Sequence, residues 1–264
     1  MTSTLWGALW ASAAAVTLLM TFLWAIQLKS KNAGIVDLGW VLCILLMAVF
    51  SCFFSPGDST RRMAVFLMVF IWGARLLFHL GPRFFRHPQE DARYHQMRLE
   101  KKEKAAAYFL FIFLFQAATA FFLSAAFWIA SADTRPGLGP FEIAALLLWG
   151  IALLGESLAD FQLARFKKNP SNRGKVCETG LWNYSRHPNY FFECLLWVSF
   201  FLMAAGSPYG LWAAVSPALM IFFIMKVSGL PPAEEQSLRS KGDLYRIYQR
   251  TTSPLIPWFK KKIS

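Results

Sequence analysis

The sequence predicts an all-α fold, a polytopic membrane protein with seven transmembrane helices. Hydrophobic residues make up 56% of the 264-residue chain, more than soluble proteins usually carry. Seven apolar stretches are each close to the roughly 20 residues that a helix needs to cross about 30 Å of hydrocarbon. The 27 Lys and Arg residues are divided very unevenly between the segments that connect these stretches. These three observations agree with one another.

The predicted spans follow one another along a single integral membrane domain, residues 1–264. They lie at residues 5–28, 33–54, 63–81, 105–132, 138–161, 188–206 and 208–227. Residues 231–264 are predicted to form a cytoplasmic tail with an interfacial helix. Leu244, Ile247 and Tyr248 share one face of that helix, while charged residues point elsewhere, which is typical of a helix lying on a membrane surface.

The distribution of basic residues predicts the orientation. Segments on the amino-terminal side hold only Arg61, Arg62 and Arg135, whereas those on the other side hold 22 Lys and Arg residues. Because loops rich in Lys and Arg stay in the cytoplasm, we expect the amino terminus outside and the carboxyl terminus inside. We expect an integral protein of a bacterial inner membrane, and any active site built from the longer polar segments would face the cytoplasm.

Composition also argues against several functions. The net charge of +12 does not indicate a nucleic-acid partner, because no basic domain stands apart from the hydrophobic body. Retention of basic loops in the cytoplasm and their attraction to anionic lipids explain most of the excess of Lys and Arg. The four cysteines lack C-x-x-C spacing, so neither a disulfide framework nor a metal site is predicted.

Ionisable residues inside the second and third spans are candidates for catalysis. A charge at the bilayer centre costs about 2.5–3.5 kcal/mol, so such residues usually have a function or a partner. Asp37 lies near the inner end of the second span, and Arg75 and His79 lie four residues apart on one face of the third. They are expected to polarise a substrate carbonyl or to supply a proton. Alternatively, Asp37 pairs with Arg75 only to stabilise the fold.

A second polar group lies at the inner ends of the fifth and sixth spans. Glu156 and Asp160 are four residues apart, as are Asn189 and Glu193 after the helix-starting Pro188. With the basic segment between the two spans, they predict a cup whose floor carries carboxylates and amides and whose rim is positive. The alternative is that the carboxylates only neutralise basic residues at the membrane edge.

The charge of this cup favours a ligand with phosphates at one end and an uncharged amide at the other. A carboxylate such as Glu193 would accept from a carboxamide N–H, and the basic rim would bind phosphates. Nicotinamide adenine dinucleotide phosphate, NADPH, fits this description. S-adenosylmethionine is cationic at sulfur and has no phosphate, so it fits less well.

Several motifs carry a resemblance to a known family. Residues 150–197 contain GESLADFQLARFK followed by GLWNYSRHPNYFFECLLW, with weaker support from NAGIVDLGW, WGARLLFHL, EDARYHQMR, KVSGLPPAEE and SPLIPW. Over most of its length the chain resembles a bacterial member of the steroid 5-alpha-reductase-like membrane family. The RHPNY-type signature also resembles isoprenylcysteine carboxyl methyltransferases and sterol reductases.

The resemblance implies a seven-helix membrane reductase that holds NADPH on the cytoplasmic side and transfers hydride to a carbon–carbon double bond conjugated with a ketone. By motif position, Asp160, Asn189 and Glu193 match cofactor-contacting positions of that family. Surrounding basic and aromatic residues are expected to complete the cofactor site: Arg165, Lys167, Arg173, Tyr184, Arg186, His187 and Tyr190.

The catalytic half departs from the family pattern. The steroid enzymes carry a glutamine–glutamate pair where Val36 and Asp37 fall here, and a tyrosine where Trp72 falls. The expected substrate is therefore a lipophilic enone entering from the bilayer rather than a steroid in particular. Two rivals stay open. One is a methyltransferase that uses S-adenosylmethionine on a lipid or prenylated substrate, and the other is a membrane scaffold whose buried charges are merely paired.

Overall fold

The computed structural model describes residues 3–86 and 90–261, so the ends of the predicted single domain and of its tail lie outside the described residues. Regular structure within these ranges is helical, apart from one isolated parallel bridge between Ser185 and Ser253. Seven of the described helical segments are long and apolar enough to cross a membrane. The predicted fold class, an all-helical protein with seven apolar spans, is confirmed. The predicted orientation stays a prediction.

Most of the described α-helices are apolar, and three short ones are polar: the fourth and the last two. Their bounds are α1 Ser3–Ser30, α2 Ile35–Phe54, α3 Ser59–Arg86, α4 Ala92–Lys101, α5 Ala105–Leu123, α6 Ala125–Ser131, α7 Pro140–Lys168, α8 Pro188–Ala205, α9 Val215–Phe222, α10 Leu230–Lys241 and α11 Asp243–Thr251. The fourth predicted span is divided between α5 and α6 at Ser124. A π-helical turn, Phe223–Val227, follows α9.

The chain forms two compact units. The first comprises Met1–Glu142 and Met203–Val215, and the second comprises Ile143–Leu202 and Ser216–Ser264. The first unit therefore holds α1 to α6, and the second holds most of α7 and α8 with α10 and α11.

Helix α2 forms the core of the first unit, where it contacts α1, α3, α5 and α6. It approaches α1 closely because Gly39 has no side chain: a Cβ there would lie 2.5 Å from Leu23 Cδ1. Trp40 and Trp72 pack edge to face, with ring centroids 6.1 Å apart. Small and aromatic residues therefore pack together in this bundle. This is expected for helices in a membrane, where van der Waals packing rather than the hydrophobic effect drives association.

The buried Arg61 holds the connection between α6 and α7. Its guanidinium donates to the carbonyls of Arg135 and Gly137, both at 2.9 Å, and to the Glu142 carboxylate at 3.2 Å. Asp133 lies 3.6 Å away. Arginine keeps its charge when buried, so these acceptors offset the cost of removing the Arg61 guanidinium from water.

In the second unit, α7 and α8 approach closely at Gly155, where a Cβ would lie 2.4 Å from the Phe192 ring. The segment between the two helices is fastened to α7 by side chains. Trp182 Nε1 donates to the Ala159 carbonyl at 2.9 Å, and the Leu181 N–H donates to Gln162 Oε1 at 2.9 Å.

The tail is tied to the residues that precede α8. The Arg186 N–H donates to the Ser253 carbonyl at 2.9 Å, and Ser185 Oγ donates to the Leu255 carbonyl at 2.7 Å. Gly242, with a φ of +54°, separates α10 from α11. The structure therefore has two short tail helices where the sequence predicts one interfacial helix, and these bonds bury Ser185 at the entrance to α8.

Candidate functional site

A cavity of about 680 Å³ lies in the second unit. Five parts of the chain form its walls: the carboxyl-terminal end of α7, the segment that follows it, the start of α8, and one face each of α10 and α11. Its volume falls in the range of small-molecule sites, roughly 300–1,000 Å³. We call it the cationic cavity because basic side chains line it.

Six basic side chains line the cationic cavity, and none of the described lining residues is acidic. The basic residues are Lys167, Lys168, Arg173, Lys175, Arg186 and Lys241. Several like charges around one concave surface create a positive potential that attracts anions. Guanidinium and ammonium groups form their strongest hydrogen bonds with phosphates and carboxylates, so the cavity suits a ligand with more than one phosphate.

Asn189 supplies a polar group at the start of α8. Its Nδ2 donates to Asp160 Oδ1 on α7 at 3.3 Å. Its Oδ1 is buried, and no hydrogen-bond donor within the described chain reaches that atom. A buried acceptor without a donor is costly, so this side chain fits a ligand that brings an N–H group, such as a carboxamide. The cavity therefore combines cationic side chains with one buried amide acceptor.

His187 and Tyr190 give the cavity a flat wall. Their rings stack with centroids 5.3 Å apart and planes inclined by 6°, and both residues line the cavity. His187 Nε2 lies 2.7 Å from Glu234 Oε1, which fixes the orientation of the imidazole ring. Such a wall suits a planar aromatic group of a ligand.

Glu234 on α10 joins the tail to this wall. Its carboxylate accepts hydrogen bonds from Arg186 Nε at 2.9 Å and Tyr245 Oη at 2.9 Å, as well as from the Gln249 amide. Burial, together with the nearby Glu234 charge, raises the pKa of Tyr245 well above its usual value, so the phenol stays protonated and donates. In the sequence, Glu234 stands in KVSGLPPAEE, a motif used only for the family resemblance.

Six of the residues predicted to bind the cofactor line the cationic cavity: Lys167, Arg173, Arg186, His187, Asn189 and Tyr190. Of the residues expected in its floor, Asn189 lines the cavity, whereas Asp160 and Glu193 are not among the lining residues. Asp160 accepts from Asn189, and Glu193 accepts from Trp197 Nε1 at 2.8 Å. Neighbouring donors thus engage both carboxylates.

The other two predicted residues lie elsewhere. Arg165 lines a second cavity beside α7. Tyr184 lines neither cavity; its ring packs edge to face against Phe259, with centroids 6.2 Å apart. A cofactor role for these residues, and for Asp160 and Glu193, stays a prediction.

Part of the cavity wall comes from the tail. Gln236, Ser237, Lys241, Tyr245 and Tyr248 line the cavity from α10 and α11. The sequence marks the tail as one of three polar segments on the predicted cytoplasmic side, and for Tyr245 and Tyr248 it leaves cofactor contact and lipid anchoring equally open. A dense run of polar and aromatic residues predicts either role, so it does not place these residues at a site.

The predicted catalytic residues belong to the first unit. Asp37, partly exposed near the start of α2, accepts a hydrogen bond from the buried Tyr94 phenol at 2.9 Å, and Arg93 Nη2 lies 3.9 Å from its other oxygen. Arg75 and His79 lie four residues apart on α3, and the His79 side chain is exposed. Tyr94 lies in a motif used only for the family resemblance, and the structure adds it to this group.

Glu90 positions the segment that carries Tyr94. Its carboxylate accepts from Arg98 at 2.7 and 3.0 Å and from the Ala33 N–H at 2.9 Å. Burial opposes ionisation, but these hydrogen bonds outweigh it and lower the pKa of Glu90. The start of α4 is thereby attached to the turn before α2. Asp37 and Tyr94 lie in the first unit, and the cationic cavity lies in the second.

Comparisons with known proteins identify relatives. "Uncharacterized protein C594.04c" of Schizosaccharomyces pombe is 26% identical over 279 aligned residues, covering 92% of this chain and 79% of that protein. "Probable O-methyltransferase ustE" of Ustilaginoidea virens is 28% identical over 96 residues, covering 36% of this chain and 32% of that protein. No solved structure matches.

A family model described as "Protein of unknown function (DUF1295)" matches residues 23–252. This match contains the Asp37–Tyr94 pair and every residue that lines the cationic cavity. The chain therefore belongs to the DUF1295 family, and it is a member with seven helices long and apolar enough to span a membrane.

Proposed function

We propose that this protein is a membrane enzyme that binds NADPH in the cationic cavity and reduces the carbon–carbon double bond of a lipophilic enone. The observation that carries the proposal is the charge of the cavity: six basic side chains line it, and no described acidic one does. A dinucleotide with a pyrophosphate and a ribose phosphate is a ligand of matching charge.

The lining residues divide between the two ends of such a ligand. Lys167, Arg173 and Lys175 would bind phosphates, and Asn189 Oδ1 would accept from the carboxamide. The stacked His187 wall would orient the flat ring beside it. The bound cofactor supplies the hydride, while the protein supplies binding, orientation and electrostatic stabilisation.

On the substrate side, the proposed groups are Asp37, Arg75, His79 and Tyr94. The Tyr94 phenol donates its one proton to Asp37, so it positions that carboxylate, while Arg75 and His79 are the N–H donors that would bind the oxygen of an enone. Donors aimed at the oxygen where negative charge develops usually contribute the largest part of catalysis in such reactions. Apolar residues exposed along the spans would let a lipophilic substrate enter from the bilayer.

A specific observation favours a second candidate function. The relative from Ustilaginoidea virens is named a probable O-methyltransferase, and it aligns with 36% of this chain. A methyltransferase would use S-adenosylmethionine on a lipid or prenylated acceptor. The named relative supports this candidate, whereas the charge of the cavity supports the reductase, because a cationic sulfonium gains nothing from six basic neighbours.

Titration of the purified protein distinguishes the two candidates. For the reductase, we expect NADPH to bind with a blue shift of nicotinamide fluorescence, and a lipophilic enone to cause NADPH oxidation. Binding of S-adenosylhomocysteine without binding of NADPH would replace the reductase with the methyltransferase.

Matched charge variants test whether the cationic cavity is the site. Arg173→Gln removes a lining charge, and we expect it to weaken NADPH binding about tenfold through loss of a charge-assisted hydrogen bond. Arg250→Gln removes one charge from an exposed position on α11 outside the cavity, and we expect unchanged binding. If both variants weakened NADPH binding equally, the net charge of the protein would explain binding, and the cationic cavity would not be the site.

A further inference from the structure

A groove of about 550 Å³ lies beside the carboxyl-terminal end of α7 in the second unit. Leu158, Phe161, Arg165 and Asn169 all line it. At 3.6 residues per turn, Leu158, Phe161 and Arg165 fall on one face of α7, and Asn169 follows the last residue of the helix. Along the groove the lining changes from apolar to cationic to amide, in the order in which a chain passes from hydrocarbon to water.

The length of α7 places Arg165 near the membrane surface. The helix has 29 residues, so it is about 43 Å long and exceeds the roughly 30 Å of hydrocarbon. Leu158 and Phe161 are 47% and 62% exposed at the apolar end of the span. Arg165 lies one turn, about 6 Å, beyond Phe161. Its guanidinium therefore reaches the layer of lipid phosphates when the apolar part of α7 fills the hydrocarbon.

Hydrogen-bond donors in the groove are available to a ligand. Arg165 forms no ion pair or hydrogen bond with any residue that the structure describes. Asn169 uses its side-chain carbonyl to accept from Ser171, which leaves its amide N–H groups for another acceptor. The described lining residues include no carboxylate. A cation and an amide without a neighbouring acid match a phosphodiester.

One wall of the groove is held in place before any ligand binds. Gln162 accepts from the Leu181 N–H at 2.9 Å, so its side chain cannot rotate freely. Gly180 permits this contact: its φ is +59°, and a Cβ there would lie 2.4 Å from Gln162 Nε2. A preformed wall reduces the entropy that a ligand must lose on binding.

We propose that this groove binds an anionic phospholipid, with the phosphate on Arg165 and Asn169 and an acyl chain along Leu158 and Phe161. Sequence patterns assigned Arg165 to the cofactor, but the structure places it in this groove rather than in the cationic cavity. A free phosphate or nucleotide would not use the apolar half of the groove. Anionic lipids are attracted to basic groups at the membrane surface, so a phospholipid uses both halves.

Native mass spectrometry of the delipidated full-length protein tests the proposal. Phosphatidylglycerol and phosphatidylcholine with identical acyl chains are titrated in detergent, and we expect phosphatidylglycerol to bind more tightly. Arg165→Gln should weaken phosphatidylglycerol binding about tenfold, because it removes the charge-assisted hydrogen bonds to the phosphate. Arg250→Gln, which removes one exposed charge outside the groove, should leave phosphatidylglycerol binding unchanged.

Three results would overturn the lipid site. These are unchanged phosphatidylglycerol binding in Arg165→Gln, an equal loss in both variants, and displacement of the lipid by inorganic phosphate. Loss of NADPH affinity without loss of lipid affinity would return Arg165 to the cofactor. Should Arg165→Gln fail to fold, Arg165→Lys keeps the charge without the planar fork, and intermediate lipid affinity is expected from it.

Discussion

At the scale of single residues, Glu234 is the polar group that connects the tail to α8, a role that no sequence pattern predicts. Arg186 and His187, from the entrance to α8, and Tyr245, from α11, all contact one carboxylate. The Glu234 and Arg186 side chains are largely buried. Removing the acid would leave the guanidinium with a buried, uncompensated charge, which costs more than the pair itself contributes.

Glu234→Gln tests this contact. It keeps the side-chain shape but removes the charge, so we expect the free energy of unfolding to fall by about 2 kcal/mol. For a chain of this size that corresponds to a decrease of roughly 4–8 °C in Tm, measured by thermal unfolding in detergent. The neighbouring Glu235→Gln is the control, because its pair with Arg239 is exposed and such pairs contribute little. Equal Tm values for the two variants would contradict the role of Glu234.

Asp133 gives the first unit a predictable response to pH. Burial opposes its ionisation, but hydrogen bonds from the Arg135 side chain and backbone outweigh burial and hold the pKa of Asp133 well below its usual value near 4. A depressed pKa in the folded state stabilises the protein above the unfolded pKa, and this stabilisation is lost as the pH falls toward the folded pKa.

The difference in Tm between the wild type and Asp133→Asn should therefore be constant from pH 7 to about pH 5. Below about pH 4 it should narrow, because Asp133 then takes up a proton in the unfolded wild type while it stays ionised in the folded state, and this lowers the wild type's stability. Thermal unfolding at pH 7, 5 and 3.5 measures the difference. A gap that widens on acidification would show that Asp133 is not held ionised.

At the scale of helices, close approach of α7 and α8 positions Asn189 beside Asp160. Gly155 permits the approach because the Phe192 ring occupies the space where a Cβ would lie. Apolar content predicts both spans, but it does not predict which small residue faces which ring. That depends on the rotation of each helix about its axis, which packing determines.

Gly155→Ala should therefore destabilise the second unit and lower Tm, because the added methyl group overlaps the Phe192 ring. Gly150→Ala, in the same helix, should leave Tm unchanged or raise it, since a Cβ there meets nothing within 4 Å and alanine favours helix by about 1 kcal/mol over glycine. Combining Gly155→Ala with Phe192→Leu should restore part of the loss. If both alanine variants behave alike, the contact is unimportant.

At the scale of the whole molecule, charge asymmetry predicts how the chain crosses the membrane. Seven spans would place the two termini on opposite sides, and the basic segments that line the cationic cavity would belong to the side predicted to hold 22 of the 27 Lys and Arg residues. The predicted arrangement puts the cavity in the cytoplasm, where a soluble nucleotide is available.

Cysteine labelling of intact cells tests the orientation. A cysteine at Ser171, in an exposed position after α7, should react only after the membrane is permeabilised. A cysteine at Thr134, in an exposed position before α7, should react with an impermeant reagent from outside. The four native cysteines are buried, so they give a low background. The reverse pattern would invert the topology and remove the cytoplasmic cavity from the proposed function.

The sequence by itself determined that the chain is helical, which seven stretches are apolar enough to span a membrane, and which polar residues lie at the ends of those spans. These properties depend on local composition and helical periodicity. Only the tertiary structure decided that Asn189 lines the cationic cavity while Asp160 and Glu193 do not, that Arg165 lines the adjoining groove instead, and that Glu234 joins the tail to α8. Those outcomes depend on the rotation of packed helices and on contacts between residues 47 to 70 positions apart, and local periodicity does not encode either.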